Sequence, residues 1–555
     1  MKKILLATVL SVLVLNVSAQ TYFSNSAGMY AGLLNDLKKT LYDSPRYNQT
    51  VVLDGKERRM FVLWIRDHIH TMKAYKYWEK DMASYLEFFL QRQTSSGMYF
   101  DYWESYKDRN VGQLYFTNCF DKQFYYVDVN QQLFFFRMPI EADLEYLLVE
   151  GVYTYWQTSG DTAFVNQWLP VLVKGMKYLM TDPLRWSKEY LLVKRPYSID
   201  TWDFTSQPDG MTGVESLLYH IGNDEKTPKG IMHGDNSGMY QACKQLSDLF
   251  NVTGKVNEAK EWNLQAELFR HRLNTTCWNG KYYAHFIPVD PVPSHIKTDP
   301  IHALSLSNTY DINRGAPTRE MAASIINAYR EVEKKTSSES VAAWFGIYPP
   351  VEPHFGRYKT GVYMNGAVLP LVGGELTKAA FQNGEEEFAV EQLKKLELIM
   401  NKNNRVLPGC VNTDGTAQEE AIPNEWGQAA FLSALVEGLA GVVDKSIFFR
   451  EVELSPRWLF AGVNEVQVSI GYGNEGNQVS YRYKYDAAAR TVIMRTKGTF
   501  EKGTIRIPLP RDCRQASMTI DGKKVPSTVD KVNASRYITA PVRGSEHEIR
   551  VVFHL

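Results

Sequence analysis

The stretch Arg195-Pro-Tyr-Ser-Ile-Asp-Thr-Trp-Asp-Phe-Thr-Ser-Gln-Pro-Asp-Gly210 sets one carboxyl group, Asp203, between two aromatic rings, Trp202 and Phe204. A carboxyl beside aromatic faces is partly desolvated, which raises its pKa and lets it keep a proton near neutral pH. In that state it can serve as a general acid and protonate a poor alkoxide leaving group. Aspartates in such turn-rich stretches also cap helices and close turns. The segment therefore gains chemical meaning only from what accompanies it.

Three other segments carry reactive side chains. Trp64-Ile-Arg-Asp-His-Ile-His70 packs Arg66, Asp67, His68 and His70 next to a helix start. Tyr363-Met-Asn-Gly366 brings Tyr363 and Asn365 ahead of another helix. Gln418-Glu-Glu-Ala-Ile-Pro-Asn-Glu-Trp426 delivers Glu419, Glu420 and Glu425 before the last one. Each has a plain reading: Asp67 can pair with Arg66 or His70, and the glutamates can complement a helix dipole. The histidines lack a third ligand at metal spacing, so no metal site and no cofactor is expected.

The elements that must position these groups follow from periodicity. Apolar residues recur at spacings of three and four over 29–41, 70–91, 140–159, 162–180, 236–250, 256–273, 319–333, 368–381, 386–401 and 426–443. That pattern predicts amphipathic helices. Between them lie loops rich in Gly, Pro, Asn and Asp, longer than helix connections need, where function tends to sit. From about Phe448 the period drops to two, over 465–472, 478–485, 491–495, 504–509 and 547–553. Turn clusters such as Gly473-Asn-Glu-Gly476 separate the runs, which predicts an antiparallel β-sandwich of roughly 100 residues. The expected organisation is a leader over 1–19, a large helical domain over 20–445 and a small β-domain over 446–555.

Met1-Lys-Lys, an apolar run and Val17-Ser-Ala-Gln20 have the form of a secretory signal cut after Ala19. The expected address is periplasmic or extracellular, with no membrane insertion, since no later run approaches the roughly 20 apolar residues of a span. Five scattered cysteines form neither a disulfide framework nor a metal-ligand spacing. Charge is balanced at 62 basic and 62 acidic residues, which argues against a nucleic-acid partner. Aromatics are plentiful, with 33 Tyr, 26 Phe and 12 Trp. Most belong in cores, yet such rings also line sugar sites by meeting the C–H faces of pyranoses.

The order of the segments resembles the six-hairpin glycosidases, and in particular trehalase and the α-glucosidase group of glycoside hydrolase family sixty-three. In that group a Trp-x-Arg-Asp segment binds the terminal sugar, and Trp64-Ile-Arg-Asp67 matches it. A Gly-Trp-Asp-Phe-Ser segment carries the general acid, and Thr201-Trp-Asp-Phe-Thr205 matches it with Thr201 in place of glycine. A glutamate before the final barrel helix serves as general base, and Glu419, Glu420 and Glu425 compete for that role. The resemblance implies an (α/α)6 toroid, and α-rhamnosidases among related members also carry a C-terminal β-sandwich. The longer trehalase signatures are not recognisable, so trehalose is not implied.

What the resemblance implies is an inverting glycoside hydrolase, exo-acting on an α-linked sugar, and the leader segment adds the expectation of secretion. Asp203 would protonate the glycosidic oxygen and Glu420 (or Glu419) would activate water, the two carboxyls standing roughly 6.5–9.5 Å apart. Trp64, Arg66, Asp67 and His68 would hold the sugar, with Trp202, Tyr363, Asn365 and Trp426 along the pocket wall. Two other classes compete. A polysaccharide lyase on a helical toroid would use His68, His70 or His233 with tyrosines. A non-catalytic glycan-binding protein would keep the barrel and lose an aligned base.

Overall fold

The structure is a computed structural model that describes residues 21–43, 49–53, 56–60, 64–106, 119–199, 205, 208, 210–356, 358–418, 425–473 and 476–554. It is mainly helical, with several small sheets. Thirteen α-helices lie among the described residues. The first seven are α1 (Met29–Asp43), α2 (Ile65–Tyr75), α3 (Ala83–Leu90), α4 (Leu144–Ser159), α5 (Thr162–Thr181), α6 (Gly213–Ile221) and α7 (His233–Val252). The rest are α8 (Val256–Thr276), α9 (Ser307–Arg314), α10 (Arg319–Thr336), α11 (Pro370–Gln382), α12 (Glu386–Lys402) and α13 (Glu425–Ser433). A π-helical stretch, Ala434–Leu439, continues α13.

Two kinds of helix alternate. In α8 only Ala259, Trp262, Ala266, Phe269 and Leu273 are buried, a stripe at three- and four-residue spacing with water on the other side. In α13 every residue is buried, and in α2 all but Asp67 and Lys73. Helices buried all round must have neighbours all round. Accordingly α2 packs on α4, α4 on α7, α7 on α9, α9 on α11, α11 on α13, and α13 returns to α2. Helices α1, α3, α5, α8, α10 and α12 pack outside this cycle. The first turns of the inner helices adjoin, as Arg66 meets Asp143 at the start of α4 and His233 meets Asp311 between α7 and α9.

The expected helix over 70–91 is two helices. Asp81 accepts hydrogen bonds from the Ser84 backbone N–H and hydroxyl, starting α3 after a turn through Glu79-Lys80-Asp81. Helices α6 and α9 fall where no helix is expected.

The C-terminal region holds two larger sheets. One has seven strands, with Glu465–Gly471, Gln478–Asp486, Thr491–Gly498 and His547–His554 at its centre. Alternating burial along Gln478–Asp486 sends Val479, Tyr481 and Tyr483 into the core. The other has five strands, in which Glu451–Leu454 runs parallel to Lys502–Pro508. The near N-terminal strand Tyr22–Phe23 pairs with Glu465–Gly471 (Tyr22 opposite Ser469), so the two ends of the described chain meet in one sheet. No helix among the described residues is long and apolar enough to cross a membrane. No disulfide forms among the described residues.

Inner helices approach closely through glycines. A Cβ on Gly374 of α11 would lie 2.5 Å from the Ala430 Cβ and 2.6 Å from the Phe431 nitrogen of α13. Alanine is favoured over glycine by about 1 kcal/mol in a helix, yet Gly374→Ala should lose about 1–3 kcal/mol in urea unfolding through overpacking. Unchanged or increased stability would show that α11 and α13 have room to separate.

Candidate functional site

Each inner helix is entered from a loop, and the loops meet at the first turns. The start of α2 is fixed by backbone: Ile65 N–H donates to the Asp101 carbonyl (2.8 Å), and Asp101 N–H to that of Phe136 (2.9 Å). Trp64 packs its ring 5.5 Å from Tyr102. Tyr102 and Phe136 belong to a second apolar cluster that also contains Ile140 and Ile221, and so seats α6 beside the approach to α4. Ile140 N–H donates to the Ile221 carbonyl at 3.0 Å, closing the same contact.

Below this aromatic wall lies a buried charge network. Arg66 donates through Nε to Asp143 Oδ2 (2.6 Å) and through Nη2 to Asp143 Oδ1 (2.8 Å), with Glu141 Oε2 2.7 Å from Nη2. Arg137 pairs with Glu145 and also donates to the Glu141 and Tyr99 carbonyls. Arg195 faces Asp235 at 3.4 Å. Burial alone would push the Asp143 carboxyl up, but the Arg66 guanidinium, its hydrogen bonds, Arg195 and Arg137 hold it below the usual carboxylate range.

The Trp64–His70 segment therefore divides by direction. Arg66 and His68 are 4% and 0% exposed; the former is held by two carboxylates, and the latter stacks on Tyr85 with ring centroids 3.8 Å apart. Asp67 and Trp64 are part-exposed at the top of α2. His70 lies one turn deeper, against the rings of Trp426 (4.4 Å) and Tyr310 (5.4 Å). Burial, then Lys73, Arg314 and Arg66, hold His70 well below its ordinary pKa, so it is neutral at pH 7.

The remaining expected site residues fall in three groups. Trp202, Asp203, Glu419 and Glu420 lie outside the described residues, although their flanks are fixed. Ser198 and Thr205 face each other in an antiparallel bridge, and Thr205 N–H donates to the His220 carbonyl (2.8 Å) at the end of α6. Ser198 Oγ also lies 3.7 Å from the sulfur of Met232, the residue that precedes α7. Gln418 accepts from the Tyr363 N–H (3.0 Å) and donates to the Gly361 carbonyl (2.8 Å), fastening it to the loop before α11. Glu425 opens α13 and is 2% exposed, beside a buried Trp426.

Asn365 is fully buried. Its amide accepts from the Val351 N–H (2.7 Å) and donates to the Val351 and Tyr358 carbonyls, which clamps a loop. Tyr363 sits at φ 49°, in the left-handed region, with its ring 5.0 Å from Tyr358.

One arrangement was invisible in sequence. His233 Nδ1 donates to Asp311 Oδ2 (2.5 Å), leaving Nε2 to accept from the Ser305 hydroxyl (2.8 Å). Those are the contacts of a nucleophilic triad. All three residues are at most 0% exposed, so no substrate reaches Ser305 and the trio braces α7 against α9. Asn236 and Asn308 do similar work, bonding the backbones of Val193 and Tyr283. Among the described residues, no group of three His, Cys, Asp or Glu side chains is arranged to hold a metal ion.

With this geometry in place, the chain can be set beside known proteins. No protein-family model matches it, and no curated protein does. Its fold is six-hairpin-glycosidase-like, as comparison with solved structures shows. An α-L-rhamnosidase from Dictyoglumus thermophilum aligns with TM-score 0.57 and 11% identity, over 96% of this chain and 50% of that one. The GH78 family rhamnosidase of Bacillus sp. GL1 gives 0.56 at 11% identity, over 88% and 43%. An α-L-rhamnosidase from Streptomyces avermitilis, solved with L-rhamnose, gives 0.54 at 13% identity, over 96% and 42%. The chain spans half or less of the length of these enzymes. At such identity the likeness is one of fold, and chemistry must be argued from the site.

Removing one partner of a buried ion pair strands the other charge. Arg66→Met should therefore cost about 3–5 kcal/mol in denaturant unfolding at pH 7. The folded-state pKa of Asp143 lies below its unfolded value of about 3.9. Its contribution is therefore present above about pH 4 and is lost as pH falls through the folded pKa. Asp143→Asn should flatten the acid limb of the stability–pH curve; an acid limb as steep as wild type's would remove Asp143 from the linkage.

Proposed function

We propose that the protein is a glycoside hydrolase that cleaves an α-linked sugar from the end of an oligo- or polysaccharide by inversion. In this reading the closed cycle of α2, α4, α7, α9, α11 and α13 with its outer helices is an (α/α)6 toroid, and the two C-terminal sheets form a β-sandwich. One observation carries the reading. Described residues flanking Asp203 are tied to the approaches of α4 and α7, while Gln418 and Glu425, flanking Glu419 and Glu420, are tied to those of α11 and α13. The described flanks of two segments more than two hundred positions apart are thus both tied to approaches of inner helices.

Asp203 is assigned as general acid, raised by Trp202 and Phe204, and one of Glu419, Glu420 and Glu425 as the base that deprotonates water. Trp64 and Asp67, part-exposed at the top of α2, are assigned to the sugar: the ring meets a C–H face and the carboxylate accepts hydroxyl hydrogen bonds. Hydrogen bonds to such a charged group are worth about 1.5–3 kcal/mol each. Arg66 and His68 position that segment from beneath. The rhamnosidases that share the fold make α-rhamnosides the first substrates to try, followed by α-glucosides. The export signal over 1–19 places the enzyme outside the cytoplasm in this reading, with an expected mature N-terminus at Gln20 on sequencing of the secreted protein.

The decisive experiment pairs chemistry with mutation. Aryl α-glycosides and oligosaccharides should be hydrolysed with inverted product anomers, read by NMR immediately after cleavage. Asp203→Asn should lower kcat about a hundred- to ten-thousand-fold with sugar binding retained. Wild-type turnover in that variant removes the acid assignment, retained anomers remove the water mechanism, and a product absorbing in the ultraviolet identifies a lyase.

A further inference from the structure

One turn beneath His70, on the far side from Trp64 and Asp67, the inner helices border a second, partly open space. It has a volume of about 180 Å³, against about 30 Å³ for one water in the liquid. Lys73 of α2, Glu150 and Tyr153 of α4, Gln245 of α7, Asn313 of α9 and Lys378 of α11 are among its walls. Asp444, the last residue of the strand Val442–Asp444, and Tyr472, which follows Glu465–Gly471, also line it. Lys73 and Lys378, both in its wall, keep 20% and 17% of their side-chain surface open.

The charges in this space are nearly all spent on one another. Lys73 pairs with Glu375 at 2.6 Å, while Lys76 (2.7 Å) and Lys378 (2.6 Å) share Glu437. Arg314 donates to the Gly234 carbonyl and the Ser237 hydroxyl. Asp444 accepts from the Ser446 and Phe449 N–H groups and the Tyr472 hydroxyl. The groups left over are of another kind. Among the described residues Glu150 makes no hydrogen bond or ion pair, although Arg314 and Lys378 feel its charge. Gln245 is 8% exposed and its Oε1 has no hydrogen-bond partner among the described residues, and neither has Asn313 Oδ1, whose amide nitrogen is bonded to Glu375. Buried acceptors without donors are costly, so native structures supply them with one.

An occupant must therefore bring several donors and no net charge. The wall carries four cations (Lys73, Lys76, Arg314 and Lys378) and four carboxylates (Glu150, Glu375, Glu437 and Asp444), so an occupant of either sign meets as many like charges as opposite ones. Hydroxyls donate to Glu150, Gln245 and Asn313 and accept from the outward N–H groups of Lys73 and Lys378, while Tyr153 and Tyr310 offer faces for C–H groups. We infer that this axial cavity is a binding site for one neutral polyhydroxylated molecule of monosaccharide size, separate from the rim of helix first turns. The inference does not depend on the hydrolase reading, since it uses none of the rim carboxylates.

The test uses the full chain and calorimetry with D-glucose, L-rhamnose and myo-inositol, with glycine as the zwitterionic control. At least one polyol should bind, and glycine should not. Glu150→Ala/Gln245→Ala should weaken that binding at least tenfold, whereas Asp67→Asn should leave it within twofold. Thr154→Trp, which fills the cavity from α4, should abolish binding in a protein whose circular dichroism and melting remain those of a folded chain. Absence of polyol binding, binding of glycine in its place, or binding lost in Asp67→Asn but kept in both cavity variants overturns the inference.

Discussion

A guanidinium with no route to water has to be matched by carboxylates within hydrogen-bond reach, and Arg66 meets that demand with Asp143 and Glu141. The consequence is geometric. Arg66 belongs to the first turn of α2, while Asp143 and Glu141 belong to the loop that enters α4, so one buried contact fixes the offset of two inner helices. Arg137 and Arg185 extend the tie by donating to the Glu141 carbonyl, and Arg195 faces Asp235 in the first turn of α7. Buried ion pairs of this kind contribute little net stability compared with apolar packing, but they penalise any register that separates the partners. The helix ends around the candidate site are thus set by electrostatics, with apolar packing filling in behind.

The acids in these first turns also have a local reason to be there. Helix N-termini present unpaired N–H groups and a partial positive charge, which favours Asp67 in α2, Glu145 in α4, Asp235 in α7 and Glu425 in α13. A helix-capping role and a catalytic role therefore draw on the same residue type at the same place. For Glu425 the first is visible: it opens α13 from a buried position.

The outer helices were legible because water on one side imposes a stripe, and α5, α8, α10 and α12 fall close to their expected bounds. Inner helices obey a different rule. In α9, Ser307, Asn308, Thr309 and Asp311 are buried polar residues that satisfy loops and His233, so no apolar period marks the helix. The strands over 465–471, 478–486 and 491–498 were read from alternation, whereas the five-stranded sheet includes Ser535–Arg543, whose Pro541 breaks the strand pattern. At the site, the sequence named the reactive types in Trp64–His70 but not their directions. Adjacent residues on a helix point about a hundred degrees apart, which sends Arg66 inward and leaves Asp67 part-exposed. Nor could spacing join His233 to Ser305 and Asp311, which meet only because α7 packs on α9.

Helix α2 also measures the distance between the rim and the axial cavity. Arg66 and Lys73 are seven residues apart, about 10 Å at about 1.5 Å per residue, with His70 between them. His70 could have coupled the two spaces electrically had it carried a proton. Burial and the surrounding cations keep it neutral, and its neighbours Trp426 and Tyr310 add rings without charge. The charges above this layer balance as Arg66, Arg137, Arg185 and Arg195 against Glu141, Asp143, Glu145 and Asp235, and those below as Lys73, Lys76, Arg314 and Lys378 against Glu150, Glu375, Glu437 and Asp444. Each set closes on itself, so a proton gained or lost at the rim need not be answered in the cavity. Two polar spaces can then share one ring of helices and still titrate and bind independently.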